Sequence, residues 1–95
     1  HLAAADDESM DNFTLSQIEK FELLYQKLVV GFVHQPMKHV LNSSGIERFG
    51  DYQMDMVRLG IGLYGFSPNQ ITEGKLQMVC SLFSHIAQIK KVKKV

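Results

Sequence analysis

From Thr14 to Leu28 the chain carries one apolar stripe: Ile18, Phe21, Leu24, Tyr25 and Leu28 recur at intervals of three and four, with Glu19, Lys20, Glu22 and Lys27 outside it. That spacing predicts an amphipathic helix, and such a helix is stable only when something covers its apolar face. Thr14 is expected to cap it with Gln17 as the reciprocal partner, and Phe13 to staple onto Ile18. The acidic stretch from Asp6 to Asp11 reads as a solvated loop leading in. With 95 residues, 45% hydrophobic and 21% charged, the chain has material for one modest core and not for two.

The cover for the stripe is expected from strands. Gly31 and Pro36 punctuate a connection from Val29 to Met37, because a proline biases the residue before it away from helical geometry. A short strand from Lys38 to Leu41 follows, then the polar turn Asn42-Ser43-Ser44-Gly45 with capping residues and one helical turn over Ile46 to Phe49. A second strand, Met54 to Arg58, enters the glycine-rich run Gly60-Ile61-Gly62-Leu63-Tyr64-Gly65 and the turn Ser67-Pro68-Asn69. Beyond it Leu76, Met78, Cys80 and Leu82 alternate with Gln77, Val79, Ser81 and Phe83, which is strand periodicity, and His85 to Val95 continues extended. The fold class is thus α/β, handing over to a β domain near Pro68. The opening His1-Leu2-Ala3-Ala4-Ala5 carries neither methionine nor a signal peptide, as though cut from something longer, and is expected to begin inside a strand.

Charge and cysteine content narrow the functional classes. Ten basic residues balance ten acidic ones, so no whole-chain field draws the protein to nucleic acid or an anionic membrane. Apolar runs such as Leu28 to Val33 fall far short of the roughly 20 residues that span a bilayer. Cys80 alone can form no internal disulfide, and a half-buried single thiol suits a reducing cytosol.

Gly60-x-Gly62-x-x-Gly65 matches the dinucleotide fingerprint literally, but Pro68 interrupts where a helix should run and no acidic residue stands about 20 positions on. A phosphate role for these glycines survives, since their backbone can approach an anion closely, beside the plainer role of a packing turn. Asn42, Ser43 and Ser44 are either anion donors or a helix cap. Arg58, ending an apolar strand, needs a planar or anionic partner or a salt bridge. His1, His34, His39 and His85 show no i, i+3 or i, i+4 pair on a helix, so no metal site is expected. Lys90, Lys91, Lys93 and Lys94 lack interleaved aromatics and read as a solvated strand edge.

Two segments then point to one family. His39-Val40-Leu41-Asn42-Ser43-Ser44-Gly45-Ile46-Glu47-Arg48-Phe49, followed by Asp55-Met56-Val57-Arg58-Leu59-Gly60-Ile61-Gly62-Leu63-Tyr64-Gly65 and Ser67-Pro68, resembles the bacterial alanine racemases. His1 to Asp6 with Phe13-Thr14 and Gln17 resembles their sixth barrel strand and its helix, and Leu76 to Lys94 the first strands of their C-terminal domain. The resemblance implies the last strands and helices of a pyridoxal-phosphate-binding (β/α)₈ TIM barrel over residues 1–68, and the junction and first strands of a C-terminal β domain over 69–95. By position, Ser43 would bind the cofactor phosphate through its hydroxyl beside the backbone N–H groups of Gly60 and Ile61. Arg58 would meet the pyridine nitrogen, held by a network of His1, His39 and Asn42. Arginine does not readily give up a proton, so the ring would stay a restrained electron sink, which suits racemisation over side reactions.

The resemblance further implies pyridoxal 5'-phosphate as cofactor, alanine as substrate, a cytoplasmic bacterial homodimer and supply of D-alanine for peptidoglycan. The family's Schiff-base lysine belongs upstream of His1 and its catalytic tyrosine after Val95; Tyr25, Tyr52 and Tyr64 are not in that context, so the chain alone is expected to be inactive. Leu41 replaces a commonly small residue, and Ser44 and Gly45 stand where alanine is frequent. The alternatives are a noncatalytic remnant held by other chains, since strands cut from a barrel leave open edges, and a related racemase acting on serine or lysine.

Overall fold

The computed structural model describes residues 1–92. Its elements are two α-helices, α1 (Asp11–Val29) and α2 (Ser43–Arg48), with 3₁₀ turns at Glu8–Met10, Gly50–Tyr52 and Ile61–Tyr64. Among the described residues there is no strand, and Lys93, Lys94 and Val95, the end of the expected basic strand, lie outside them.

The helix start moves from the expected place. Asp7 caps the Glu8–Met10 turn, its carboxylate accepting from the Ser9 N–H at 2.9 Å and the Ser9 hydroxyl at 2.7 Å, and α1 follows directly from Asp11. The acidic run is therefore a helix entry, in keeping with the preference for carboxylates at that end. Thr14 lies within the first turns, fully buried, with no partner for its hydroxyl. The Gln17 side chain is occupied elsewhere, accepting from the Ala3 N–H at 3.0 Å, and Phe13 stays exposed. Only the first half of the stripe is covered: Ile18 joins a core of Leu2, Ala5, Val40, Leu41 and Phe49, flanked by Leu15, Ile46, Met54 and Val57. Leu24 and Leu28 remain exposed.

Segments 38–41 and 54–58 do lie side by side, running the same way. The Asp55 N–H donates to the Lys38 carbonyl at 3.1 Å and the Arg58 N–H to the Leu41 carbonyl at 3.0 Å. They fail to become a ladder for local reasons. The bonds stand three residues apart where a strand repeats every two, the Lys38 N–H is taken by the Asp55 carboxylate at 2.7 Å, and Met54 enters with φ of +58°. Residues 76–92 are extended but have no neighbouring strand among the described residues, and their alternating side chains are all exposed, Leu82 at 98%. Cys80 is exposed as well, not half-buried. This arm accounts for a radius of gyration of 19.0 Å, against about 12 Å for a compact chain of this length.

Three polar ties fix the helices around the core. Arg48 on α2 reaches back to the Ala5 carbonyl at 2.9 Å and gives its other terminal nitrogen to both Asp11 oxygens at 2.7 and 2.9 Å. Lys38 pairs with Glu22 of α1 at 2.9 Å; that pairing holds the Glu22 carboxyl below its ordinary value and the Lys38 ammonium above its own. The Tyr25 hydroxyl closes the connection by donating to the Pro36 carbonyl at 2.7 Å.

Candidate functional site

Asn42 turns the chain from the core segment into α2. Its side-chain oxygen accepts from the Gly45 N–H at 2.9 Å, which caps the helix and fixes the amide so that Nδ2 faces the chain start. Gly45 carries no side chain where Leu2, Leu41 and Asn42 close in; an added Cβ would stand 3.0 to 3.3 Å from each. The cap therefore places Ser43 in the first turn, buried, beside the glycine-rich run.

Ser43 Oγ accepts two hydrogen bonds, from the Gly60 N–H at 3.0 Å and the Gly62 N–H at 3.1 Å. Gly62 must be small for this wrap: a Cβ there would lie 2.9 Å from the Leu59 side chain and 3.4 Å from Ser43 Oγ. Ile61, between them, heads the 3₁₀ turn, and its N–H has no acceptor among the described residues. Farther on, Gly65 adopts φ of +84° and lies against the backbone of Gln77, where the extended arm crosses and the Val79 N–H donates to the Tyr64 carbonyl at 3.4 Å.

Arg58 enters from the other side. Its Nη2 donates to His1 Nδ1 at 2.7 Å. A guanidinium only donates, so Nδ1 must accept and the ring proton sits on Nε2. That nitrogen lies 3.4 Å from Asn42 Nδ2; two donors do not bond, and the Asn42 amide is left with the Leu2 carbonyl at 3.4 Å. The partner of Arg58 is thus an imidazole, and among the described residues no carboxylate pairs with the cation.

These residues surround an open cavity of about 400 Å³ lined by His1, Asn42, Ser43, Ser44, Arg58, Leu59, Gly60 and Ile61. Six of the seven positions expected from the sequence, His1, Asn42, Ser43, Arg58, Gly60 and Ile61, meet there. His39 does not: Val40 and Leu41 beside it are core residues, and its Nδ1 is shut from solvent without a partner. Ser44, expected as an anion donor or a cap, lines the cavity too, and Gly62 of the expected glycine run holds Ser43 from outside that lining; Leu59 is the lining residue that sequence reasoning missed. Also missed was Glu47, one turn beyond Ser43, which accepts from the Ser67 hydroxyl at 2.5 Å, the Asn69 N–H at 3.0 Å and the Thr72 hydroxyl. Burial pushes the Glu47 carboxyl up, but these hydrogen bonds outweigh it and leave the group below its ordinary value.

The lining brings together one arginine, hydroxyl and amide donors, and apolar walls. Among the described residues no three histidine, cysteine or acidic side chains gather as for a metal, and no helix is long and apolar enough to cross a membrane. A family profile described as "Alanine racemase, N-terminal domain" matches residues 1–68. The chain is 40% identical to an alanine racemase of Fusobacterium nucleatum over 99% of its own length and 26% of that protein. It is 38% identical to alanine racemase 1 of Oceanobacillus iheyensis, over 97% of this chain and 25% of the other, and 33% identical to alanine racemase 2 of Bacillus subtilis, over 98% and 24%. The chain thus spans about a quarter of the length of the relatives it matches. No solved structure matches it.

Proposed function

Because the chain belongs to the alanine racemase N-terminal-domain family, we propose that it is the cofactor-gripping part of a cytoplasmic, homodimeric bacterial enzyme that interconverts L- and D-alanine for peptidoglycan. In this reading residues 1–68 are the closing strands and helices of a pyridoxal-phosphate-binding (β/α)₈ barrel. Residues 69–95 lead into the first strands of a C-terminal β domain.

The observation that carries the reading is the convergence of Ser43, Arg58, Gly60 and Ile61 on one cavity. Its volume of about 400 Å³ falls within the range of roughly 300 to 1,000 Å³ usual for small-molecule sites. The donor set fits a phosphorylated pyridine. With both lone pairs of Ser43 Oγ filled by Gly60 and Gly62, the hydroxyl can only donate outward, as a phosphate oxygen requires. The Ile61 N–H offers a second donor alongside, while the Gly60 N–H serves to orient the hydroxyl. When bound, pyridoxal phosphate supplies an electron-withdrawing ring that acidifies the Cα–H of an amino acid.

Arg58 lines the same cavity and would meet the ring nitrogen with its remaining N–H groups. Because an arginine side chain does not act as a proton donor to a weak base, the ring nitrogen stays unprotonated and its pull restrained. His1 holds Arg58 in place directly, and Asn42 bonds the carbonyl of Leu2, the residue next to His1. Among the described residues no lysine or tyrosine lines this cavity, so in this reading the segment alone is inactive. In the full-length protein, Ser43→Ala should weaken pyridoxal phosphate binding by about tenfold, the scale of one charge-assisted hydrogen bond, and Arg58→Ala should slow racemisation and admit transamination. Unchanged cofactor affinity together with unchanged kinetics would refute the assignment.

A further inference from the structure

Ser43 and Glu47 stand four residues apart on α2 and so share one face. Each grips the chain on a different side of the glycine-rich run. Ser43 holds Gly60 and Gly62; Glu47 holds Ser67, Asn69 and Thr72, and Ser67 Oγ in turn accepts from the Thr72 N–H at 3.3 Å. Between the two grips lies a small apolar cavity of about 130 Å³, lined among others by Leu59, Gly62, Phe66 and Pro68. Packing there is loose, so the hydrogen bonds at the two ends decide where the loop sits.

We infer that Glu47 is a positioning residue for the anion site: by anchoring the Ser67–Thr72 turn to α2 it fixes the Gly60–Gly62 loop over Ser43 and keeps the Ser43 hydroxyl aimed into the cavity. A carboxylate is suited to this because it is acceptor-only and can take all three donors at once. The amide of glutamine has one acceptor oxygen and brings two hydrogens toward groups that themselves donate. The inference rests on the reading of Ser43 as the phosphate holder.

The test separates the two. In the full-length protein, dissociation constants for pyridoxal 5'-phosphate and for pyridoxal, which lacks the phosphate, are measured by absorbance titration for the wild type, Glu47→Gln, Glu47→Asp and Ser43→Ala. Glu47→Gln should weaken pyridoxal phosphate about tenfold while pyridoxal changes less than about twofold, and Glu47→Asp should recover part of the loss. Wild-type affinity in Glu47→Gln with a loss in Ser43→Ala overturns the role of Glu47 and leaves the phosphate reading standing. No loss in Ser43→Ala overturns both. An equal loss of the two ligands in Glu47→Gln means general loosening and overturns the positioning role. Should Glu47→Gln fail to fold, the pair Ser67→Ala and Thr72→Val removes two donors without touching α2. A phosphate-specific loss of a few fold supports the inference, and none refutes it.

Discussion

Replacing Gly65 with alanine tests the crossing of the extended arm over the glycine-rich run, and Gly74 supplies the control. Both glycines have left-handed backbones, with φ of +84° and +77°. At Gly74 an added Cβ meets nothing within 4 Å, so Gly74→Ala carries only the backbone penalty, about 1 to 2 kcal/mol. At Gly65 the same Cβ would stand 2.0 Å from the Gln77 carbonyl oxygen and 2.4 Å from its carbon. That is roughly 1.4 Å short of ordinary contact. Both atoms are main chain, so no rotamer change relieves the clash, and displacing packed chain adds about 1 to 3 kcal/mol. Urea unfolding should therefore rank Gly65→Ala well below Gly74→Ala. Gly50→Ala, at an open site with no positive φ, should lie within about 0.5 kcal/mol of wild type. Amide exchange should report where the loss occurs: the Val79 N–H, bonded to the Tyr64 carbonyl, loses protection in Gly65→Ala and keeps it in Gly74→Ala. Equal costs at positions 65 and 74 would mean that the arm does not cross there in solution.

Arg48→Met should destabilise by about 2 kcal/mol because it orphans the Ala5 carbonyl and a carboxylate, whereas Asp11→Asn, at a partly exposed position, should cost no more than about 1 kcal/mol; the reverse order in urea midpoints would contradict the geometry. Since the Glu47 carboxyl is held below its ordinary value of 4.5, its contribution is fully present above pH 4.5 and is lost as pH falls through the lower folded value. Exchange protection of the Asn69 amide should therefore hold constant down to pH 4.5 and decline below it; a decline beginning at neutral pH would refute that. His1→Phe should leave Arg58 without its acceptor and weaken pyridoxal phosphate binding in the full-length protein by a few fold, and an unchanged affinity would show that Arg58 is held by other means.

The cavity was more legible in the sequence than the scaffold. Asn42, Ser43, Arg58 and the spaced glycines stand out because a buried cap, a cation after an apolar run and a wrap around a hydroxyl each demand particular residue types. The strands were not legible because alternation records which faces want cover, not whether a neighbour is there to provide it. Val40 and Leu41 found the core, but Leu82 and Phe83, with the same alternation, have no neighbouring strand among the described residues. Thr14 misled for a related reason: a good capping residue is also small enough to bury beside Ile18, and Asp7 had already supplied the entry. Glu47 escaped notice because its three partners lie 20 to 25 residues farther on, beyond the reach of local pattern.

The contact between Arg58 and His1 joins residues 57 positions apart, and Arg48 reaches 43 positions back to Ala5. Local helix formation in α1 or α2 can precede both, but each contact closes a long loop at an entropic cost. The cavity is in that sense built from contacts distant in sequence. A molecule that binds only where these contacts have closed draws the population toward the finished fold by mass action, so the cofactor proposed for the cavity would stabilise the fold as well as supply its chemistry.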